Sequence, residues 1–583
     1  MSRITFLSVL FLCLAAITVR SQDRKFTQSK PLDLGQTGVN KVLCMKNSNT
    51  LLFHFEPNKA IIVKVFDSTR KEIADQKHVC RMLDISSLKE ATFKGLYDIN
   101  DEAVLFIEQE RLSRYVLVRL RFSARDGTLI EEKLAGESKS QSKRTRYYVM
   151  KDKDDDGYAI FFCTDIPQFK DCRLNVTYYN NRHEVTREVP LEVDRKQYDL
   201  VEVVGAEWQH KGNCITLDLR KQLSVQSYHS GDGIDPQWVG AHTLVSPNQV
   251  QSLADPHRVS DIGVTNGTVI YSHDLCFFYI PKDGGAPKTK IVDVTENVYP
   301  YYSSFSYNPF ARSLNLLLLS YREYNYKFGV DIQPAALNSS LLFNLDEDAM
   351  TLKYSWLKNK MADTYLKIQT NSSQKYEGLP VKMFTNENGL STVFYRSFGR
   401  YKDMESFERS VVYDSYLGDI CITQFDDDGN EIWGTVLPGV QYFKSYQHFY
   451  YAEELYQRQQ DQAMFLDLPG QVYNRQFLSQ NIYCWNKNYY IVYNDYDKNF
   501  NNSVKHPGDT VYAFENTNAC YYTLNKKKEL TKTYLFGVPA RNEFKCSFIE
   551  GADFDEQRGV YATLVQRKRG NNVSLFMAWS QLE

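Results

Sequence analysis

The stretch that decides the fold is CITQFDDDGNEIWGTVL, residues 421–437: two apolar runs separated by DDDGN. Asp and Asn favour tight turns, and glycine supplies the left-handed backbone that such turns need, so the stretch reads as a β-hairpin. The same design recurs from Ile61 (IIVKVFDSTRKEIADQ), Tyr115, Cys172, Cys276, Ser340 and Cys520. Seven hairpins of one kind argue for copies of one unit.

Further strand-like runs precede the hairpins, among them EAVLFIEQE, LNLLLLSYREY and NYYIVYNDY. A unit is therefore a meander of about four strands ending in the hairpin. Such a sheet cannot bury both faces alone, but it can when packed radially against its neighbours. The expected fold is all-β: a single large β-propeller of seven or eight four-stranded blades with long inter-strand loops. The interval from His183 to Gly284 is about twice the shortest spacing, so it holds either a degenerate eighth blade or a long excursion. No Pro-, Gly- or Ser-rich linker divides the chain. An insertion at 448–480, with helical composition over Glu453–Gln462, predicts a short helix or lid.

Met1, Ser2 and Arg3 precede an apolar run from Ile4 to Val19, followed by Arg20, Ser21 and Gln22. The run is shorter than the ~20 residues of a membrane span, so 1–21 reads as a cleaved secretory signal and 22–583 as the propeller domain. No second apolar run predicts a transmembrane segment. The expected location is secreted, periplasmic or at the cell surface. Removing Arg3 and Arg20 takes the formal charge from -2 to -4, with both signs scattered, which excludes a nucleic-acid footprint. Ten of the eleven cysteines remain after Cys13 is removed. Cys163 and Cys172 are close enough in sequence to pair across neighbouring strands. Cys172, Cys214, Cys276, Cys421 and Cys520 begin hairpin strands, where a small apolar residue suits packing.

Three places invite a chemical reading. In KDKDDDG, Asp152, Asp154 and Asp156 before Gly157 match the first half of a calcium loop, but its twelfth position is Cys163 rather than Glu. Calcium is thus a candidate ligand of a half-motif that reads equally as a solvated turn; no other cofactor is expected. SYHSGDGIDPQW offers His229, Asp232, Asp235 and Trp238, and DPHRVSDIG offers Asp255, His257, Arg258 and Asp261. Histidine and carboxylates in glycine-rich loops could serve acid/base work on a sugar, whereas turn chemistry alone also explains them. Six Asn-x-Ser/Thr sequons begin at Asn175, Asn266, Asn338, Asn371, Asn501 and Asn572.

FDDDGNEIW departs from the sialidase Asp-box, since Trp433 falls four residues after Gly429, and its spacing resembles the turn of pyrroloquinoline-quinone-type propellers. The other hairpins lack the tryptophan, and no adjacent cysteines are present, so no quinone site is expected. The export signal, this hairpin and YYIVYNDYDKNF from Tyr489 resemble uncharacterised secreted propeller-like proteins of Bacteroidota-type bacteria. The resemblance implies export and a propeller and no reaction. The leading expectation is a binding propeller recognising a glycan or a protein through loops at one face. A carbohydrate-active hydrolase or lyase in the funnel and a structural subunit of a surface assembly are the alternatives. The sequence leaves oligomeric state open.

Overall fold

The structure is a computed structural model. It describes residues 26–34, 38–56, 60–84, 91–138, 145–152, 155–167, 170–209, 211–227, 267–293, 299–321, 339–346, 350–370, 376, 378–402, 412–446, 462–463, 476–502 and 508–583. The chain is an eight-bladed β-propeller whose blades are antiparallel meanders with at least four strands each. Blades 1 to 7 span 39–78, 92–137, 145–191, 200–293, 299–356, 378–437 and 480–534. Blade 8 takes its inner strands from 543–581, the innermost split into Glu543–Ser547 and Asp553–Asp555, which both pair with Val560–Arg569, and its outermost strand, Phe26–Gln28, from the other end of the sequence. Phe26 lies opposite Ser580 and Gln28 opposite Ala578.

This arrangement explains the ambiguous blade count. The seven hairpins are the outer hairpins of blades 1 to 7; the eighth blade has none, because its third and fourth strands are not consecutive. The wide interval after His183 is an excursion, residues 228–266, between the second and third strands of blade 4.

The core lies between blades rather than within a central layer. Ala103, Leu105 and Ile107 of blade 2 pack towards blade 1 with Phe53, Ile61 and Val63. The alternate residues Val104 and Phe106 pack towards blade 3 with Tyr147, Tyr158 and Ile160. Because both faces of a second strand are buried, it reads as a near-continuous apolar run rather than an alternation. First strands of blades 1 to 6 touch one another in succession. Fourth strands form the rim and carry the polar residues of exposed sheet edges, as in EIADQKH, 72–78. The exposed apolar residues of these outer strands, Ile73, Ile130, Val185, Ile291, Tyr354 and Ile432, are spread one per blade. Cys276, Cys214, Cys421 and Cys520 are buried in successive inter-blade clusters, which fits the packing reading. Cys163 and Cys172 are free thiols on adjacent strands, opposite Leu174 and Asp165 respectively.

The recurring hairpin has a common mechanism. At Asp67, Asn180, Asp426 and Asn525 the side-chain Oδ1 accepts hydrogen bonds from the backbone N–H groups two and four residues on, at 2.8–3.0 Å. The residue three positions on is left-handed in each: Arg70, His183, Gly429 and Lys528, with φ between 63° and 77°. Only Gly429 is forced to be glycine by crowding, since a Cβ there would meet Ser355 Cβ at 2.5 Å.

Two-residue turns need left-handed backbone at both positions, which favours Asn and Gly. Asn100–Asp101 and Asn486–Lys487 comply, but Leu112–Ser113 places leucine at φ 49° with 94% of its surface exposed. Leu112→Asn is expected to stabilise the protein by about 1 kcal/mol, because a left-handed non-glycine residue costs about 1–2 kcal/mol and Asn tolerates it best. A thermal melt checks this; a lower melting temperature would mean that Leu112 makes a contact worth more than its strain.

Candidate functional site

The meander segregates the connections. Turns between first and second strands, and between third and fourth strands, all lie on one face of the ring. On this face every connection has six residues or fewer, that of blade 8 being 556–559. Turns between second and third strands, and the links between blades, lie on the opposite face. That face carries 228–266, 322–338, 357–377 and 496–517. It also carries two long ribbons. Strands Gly212–Ser227 and Gly267–Pro281 stay paired from Lys221↔Ser272 to Ser227↔Gly267, beyond the last pair of the inner strand, Leu200↔Arg220. At about 3.3 Å per residue this arm rises roughly 20 Å above the blade. In blade 6, Phe398–Lys402 and Leu417–Tyr413 form a shorter one.

The sequence-predicted residues separate between these faces. Asp152 and Asp156 sit in the first turn of blade 3, on the tight-turn face; Asp154 lies outside the described residues. Lysines from other blades meet the carboxylates. Lys282 of blade 4 pairs with Asp152 and, at 3.0 Å, with Asp155, while Lys46 of blade 1 pairs with Asp156. The Lys151 ammonium donates to the carbonyl oxygens of Asp152 and Asp155. The acidic turn thus works as an electrostatic clasp across blades 1, 3 and 4, and Asp152 and Asp156 are aimed at different cations. Among the described residues, no group of three or more His, Cys, Asp or Glu is placed to hold a metal ion. His229, Asp232, Asp235, His257 and Asp261 lie outside the described residues. The connection that carries them leaves and re-enters blade 4 at the tip of the long arm, on the loop-bearing face. The insertion 448–480 is described only at 462–463 and from Gln476.

Those described pieces reveal a feature that the sequence did not announce. Gln462 and Ala463 pair with Phe93 and Thr92, at the loop-face end of the inner strand of blade 2. Gln476, approaching blade 7, accepts from Asn40 Nδ2 and donates to Gly38 O, both at 3.0 Å, and its carbonyl accepts from Glu550 N. A link that begins at blade 6 therefore touches blade 2, diametrically opposite, and then blades 1 and 8 before blade 7 starts.

The inner strands of blades 1 to 3 bring up Lys41, Lys94 and Arg146, each over an aromatic ring: Phe93 at 4.9 Å, Tyr148 at 5.2 Å and Tyr115 at 5.6 Å. Glu108 lies 3.3 Å from Lys94 and accepts from Tyr147 N at 2.9 Å. Burial pulls the Lys94 ammonium down to about 8, with Glu108 opposing the shift. A buried lysine so tuned is common at functional sites and in structural ion-pair networks alike.

A second network, on the tight-turn face, joins blades 2 and 3. Arg121 binds Glu102 through Nε at 2.6 Å and Nη2 at 2.8 Å, Arg119 donates to Tyr158 at 2.7 Å, and Glu131 bridges both arginines. His183 stands 3.4 Å from Glu102, and burial together with the two arginines lowers its pKa to about 4. Between pH 6.5 and 4 the unfolded histidine binds a proton that the folded one refuses, so this residue's contribution falls as pH falls through that window. His183→Asn, which keeps a residue tolerant of φ 63°, is expected to flatten the pH dependence of stability between pH 4 and 6.5. Urea unfolding at a series of pH values checks it; an unchanged slope would place the titration elsewhere.

No helix among the described residues is long and apolar enough to cross a membrane. No family model matches the chain, and no curated protein matches it. Among solved structures it is similar to the polysaccharide lyase Uly1, at 8% identity over 84% of this chain and 90% of that one, with a TM-score of 0.34. It is similar to a GH43 endo-arabinanase from Bacillus licheniformis, at 12% identity over 55% of this chain and 99% of that one, TM-score 0.23. It is also similar to an acylaminoacyl peptidase from Pyrococcus horikoshii, at 10% identity over 85% of this chain and 53% of that one, TM-score 0.32.

Proposed function

We propose that the protein is an exported binding propeller that recognises a glycan or a protein with the loop-bearing face of its ring. The observation that carries this reading is the segregation of connections: seven tight outer hairpins fix the blades from one side, and the extended links and both arms gather on the other. Binding residues concentrate on loops that a rigid scaffold positions. A carbohydrate-active hydrolase or lyase is the second reading, favoured by the emergence of the 228–266 connection, with its His and Asp residues, on that same face. The test is to incubate the mature protein with a panel of soluble polysaccharides and follow complex and polymer mass by chromatography with light scattering. The expected result is co-elution with unchanged polymer mass. A fall in mass would replace the binding reading with the enzymatic one. A panel with no co-elution would leave a protein ligand as the form of the binding reading to pursue by cross-linking.

A further inference from the structure

After the fourth strand of blade 6 the chain turns and adds Gln441–Tyr446 to the upper half of Val412–Phe425, placing Tyr442 opposite Tyr416. The 496–517 connection of blade 7 then lies alongside. Val511 bridges to Gln441, Tyr442 N donates to Val511 O at 2.9 Å, and Val511 N donates to Val440 O at 2.8 Å. Two paired strands and the loop beside them thus bring three tyrosines into a row, Tyr416, Tyr442 and Tyr512, with ring centroids 5.3 and 5.0 Å apart and planes tilted by 57° and 44°.

We propose that this row binds a neutral polysaccharide chain; the proposal rests on the binding reading above and names its ligand class. The rings grade from half-buried to open, Tyr512 being 58% exposed. The backbone that carries Tyr512 is held in place, because its N–H and that of Ala513 both donate to the Tyr496 hydroxyl at 3.1 Å. A tyrosine on a held backbone loses little conformational entropy on binding and presents an apolar face with a polar tip. The successive spacing is about that of one sugar ring after another, and the C–H faces of pyranoses suit aromatic faces. Tyr512 is the exposed end of the row, and Tyr416 and Tyr442 are its half-buried members. Lys498, two residues from Tyr496, pairs with Asp509.

The test is titration calorimetry of the full mature chain with cellohexaose, xylohexaose and mannohexaose. At least one is expected to bind. Tyr512→Ala is expected to weaken that binding by about tenfold, from the loss of one aromatic contact, with no change in melting temperature. Tyr512→Phe, which keeps the ring, is expected to retain affinity within about threefold. Binding unaffected by both Tyr512→Ala and Tyr442→Ala would overturn the strip while leaving the binding reading intact. No heat with any of the three sugars would overturn the neutral-glycan assignment; the binding reading would then be judged on the wider panel and cross-linking.

Discussion

Replacing Lys532 with methionine is expected to destabilise the protein by about 3–5 kcal/mol, the usual cost of removing one partner from a buried ion pair. Lys532 lies on the outer strand of blade 7, yet its ammonium points inward and is nearly buried, 2.8 Å from Asp495 Oδ2 and 3.0 Å from Asn499 O. The rings of Tyr493, Tyr522 and Phe500 surround it at 5.3, 5.5 and 5.7 Å. Burial is the largest influence and disfavours the charge, but Asp495, Tyr522 and Cys520 together outweigh it, and the ammonium titrates above its ordinary range. Without the lysine, the Asp495 carboxylate stays buried with two neutral donors, Tyr496 N and Asn499 Nδ2, both at 2.8 Å. The double variant Lys532→Met with Asp495→Asn is expected to recover most of the loss, because no charge is then stranded. Urea unfolding of the two variants checks this. Equal losses in both would show that packing, rather than the unpaired charge, sets the cost.

Trp579→Ala is the second large effect, at about 3–5 kcal/mol for a buried tryptophan. Trp579 closes the seam between the last blade and the first. Its indole Nε1 donates to Thr50 Oγ1 at 2.9 Å, its ring meets Phe66 edge-on at 5.3 Å, and the Arg70 guanidinium lies over it at 5.2 Å. Trp433, only partly buried on an outer strand, provides the comparison and is expected to cost much less on truncation. Beyond the shift in unfolding midpoint, Trp579→Ala should speed proteolytic cleavage ahead of Phe26, since the strand there is anchored to the weakened blade. Equal losses for the two tryptophans would mean that the seam carries no special load.

Much of the fold was legible because its information is local. DDDGN at 426–430 contains the capping Asp426 and the left-handed Gly429, and the same arrangement recurs even where Arg70, His183 and Lys528 stand in for glycine. Apolar runs such as YAIFFC announced strands buried on both faces. What could not be read is what joins distant positions. Nothing in KDKDDDG reveals that Lys46 and Lys282 occupy its carboxylates, 110 and 130 residues away. The link from blade 6 that reaches blade 2 was legible only as an insertion. Tyr416, Tyr442 and Tyr512 carry no motif and meet only because an extra strand and a loop from the next blade lie side by side. Leu112 was hidden for the opposite reason, since a leucine between apolar runs looks ordinary until its backbone is seen to be left-handed.

The sharing of blade 8 between the two ends sets an order on the birth of the molecule. Phe26–Gln28 is synthesised first, but its partner Asn572–Gln581 is synthesised last. At about 5–20 residues per second, on the order of half a minute to two minutes of translation separates them. Throughout that interval the growing arc has two unsatisfied ends and cannot circularise, however well its early blades have formed. A chain truncated before Asn572 would remain an open arc with its first strand unpaired. A permuted chain in which Glu583 is joined through a short linker to Phe26, with new ends opened in the 525–529 turn, would build blade 8 from consecutive sequence and transfer the late-closing seam to blade 7.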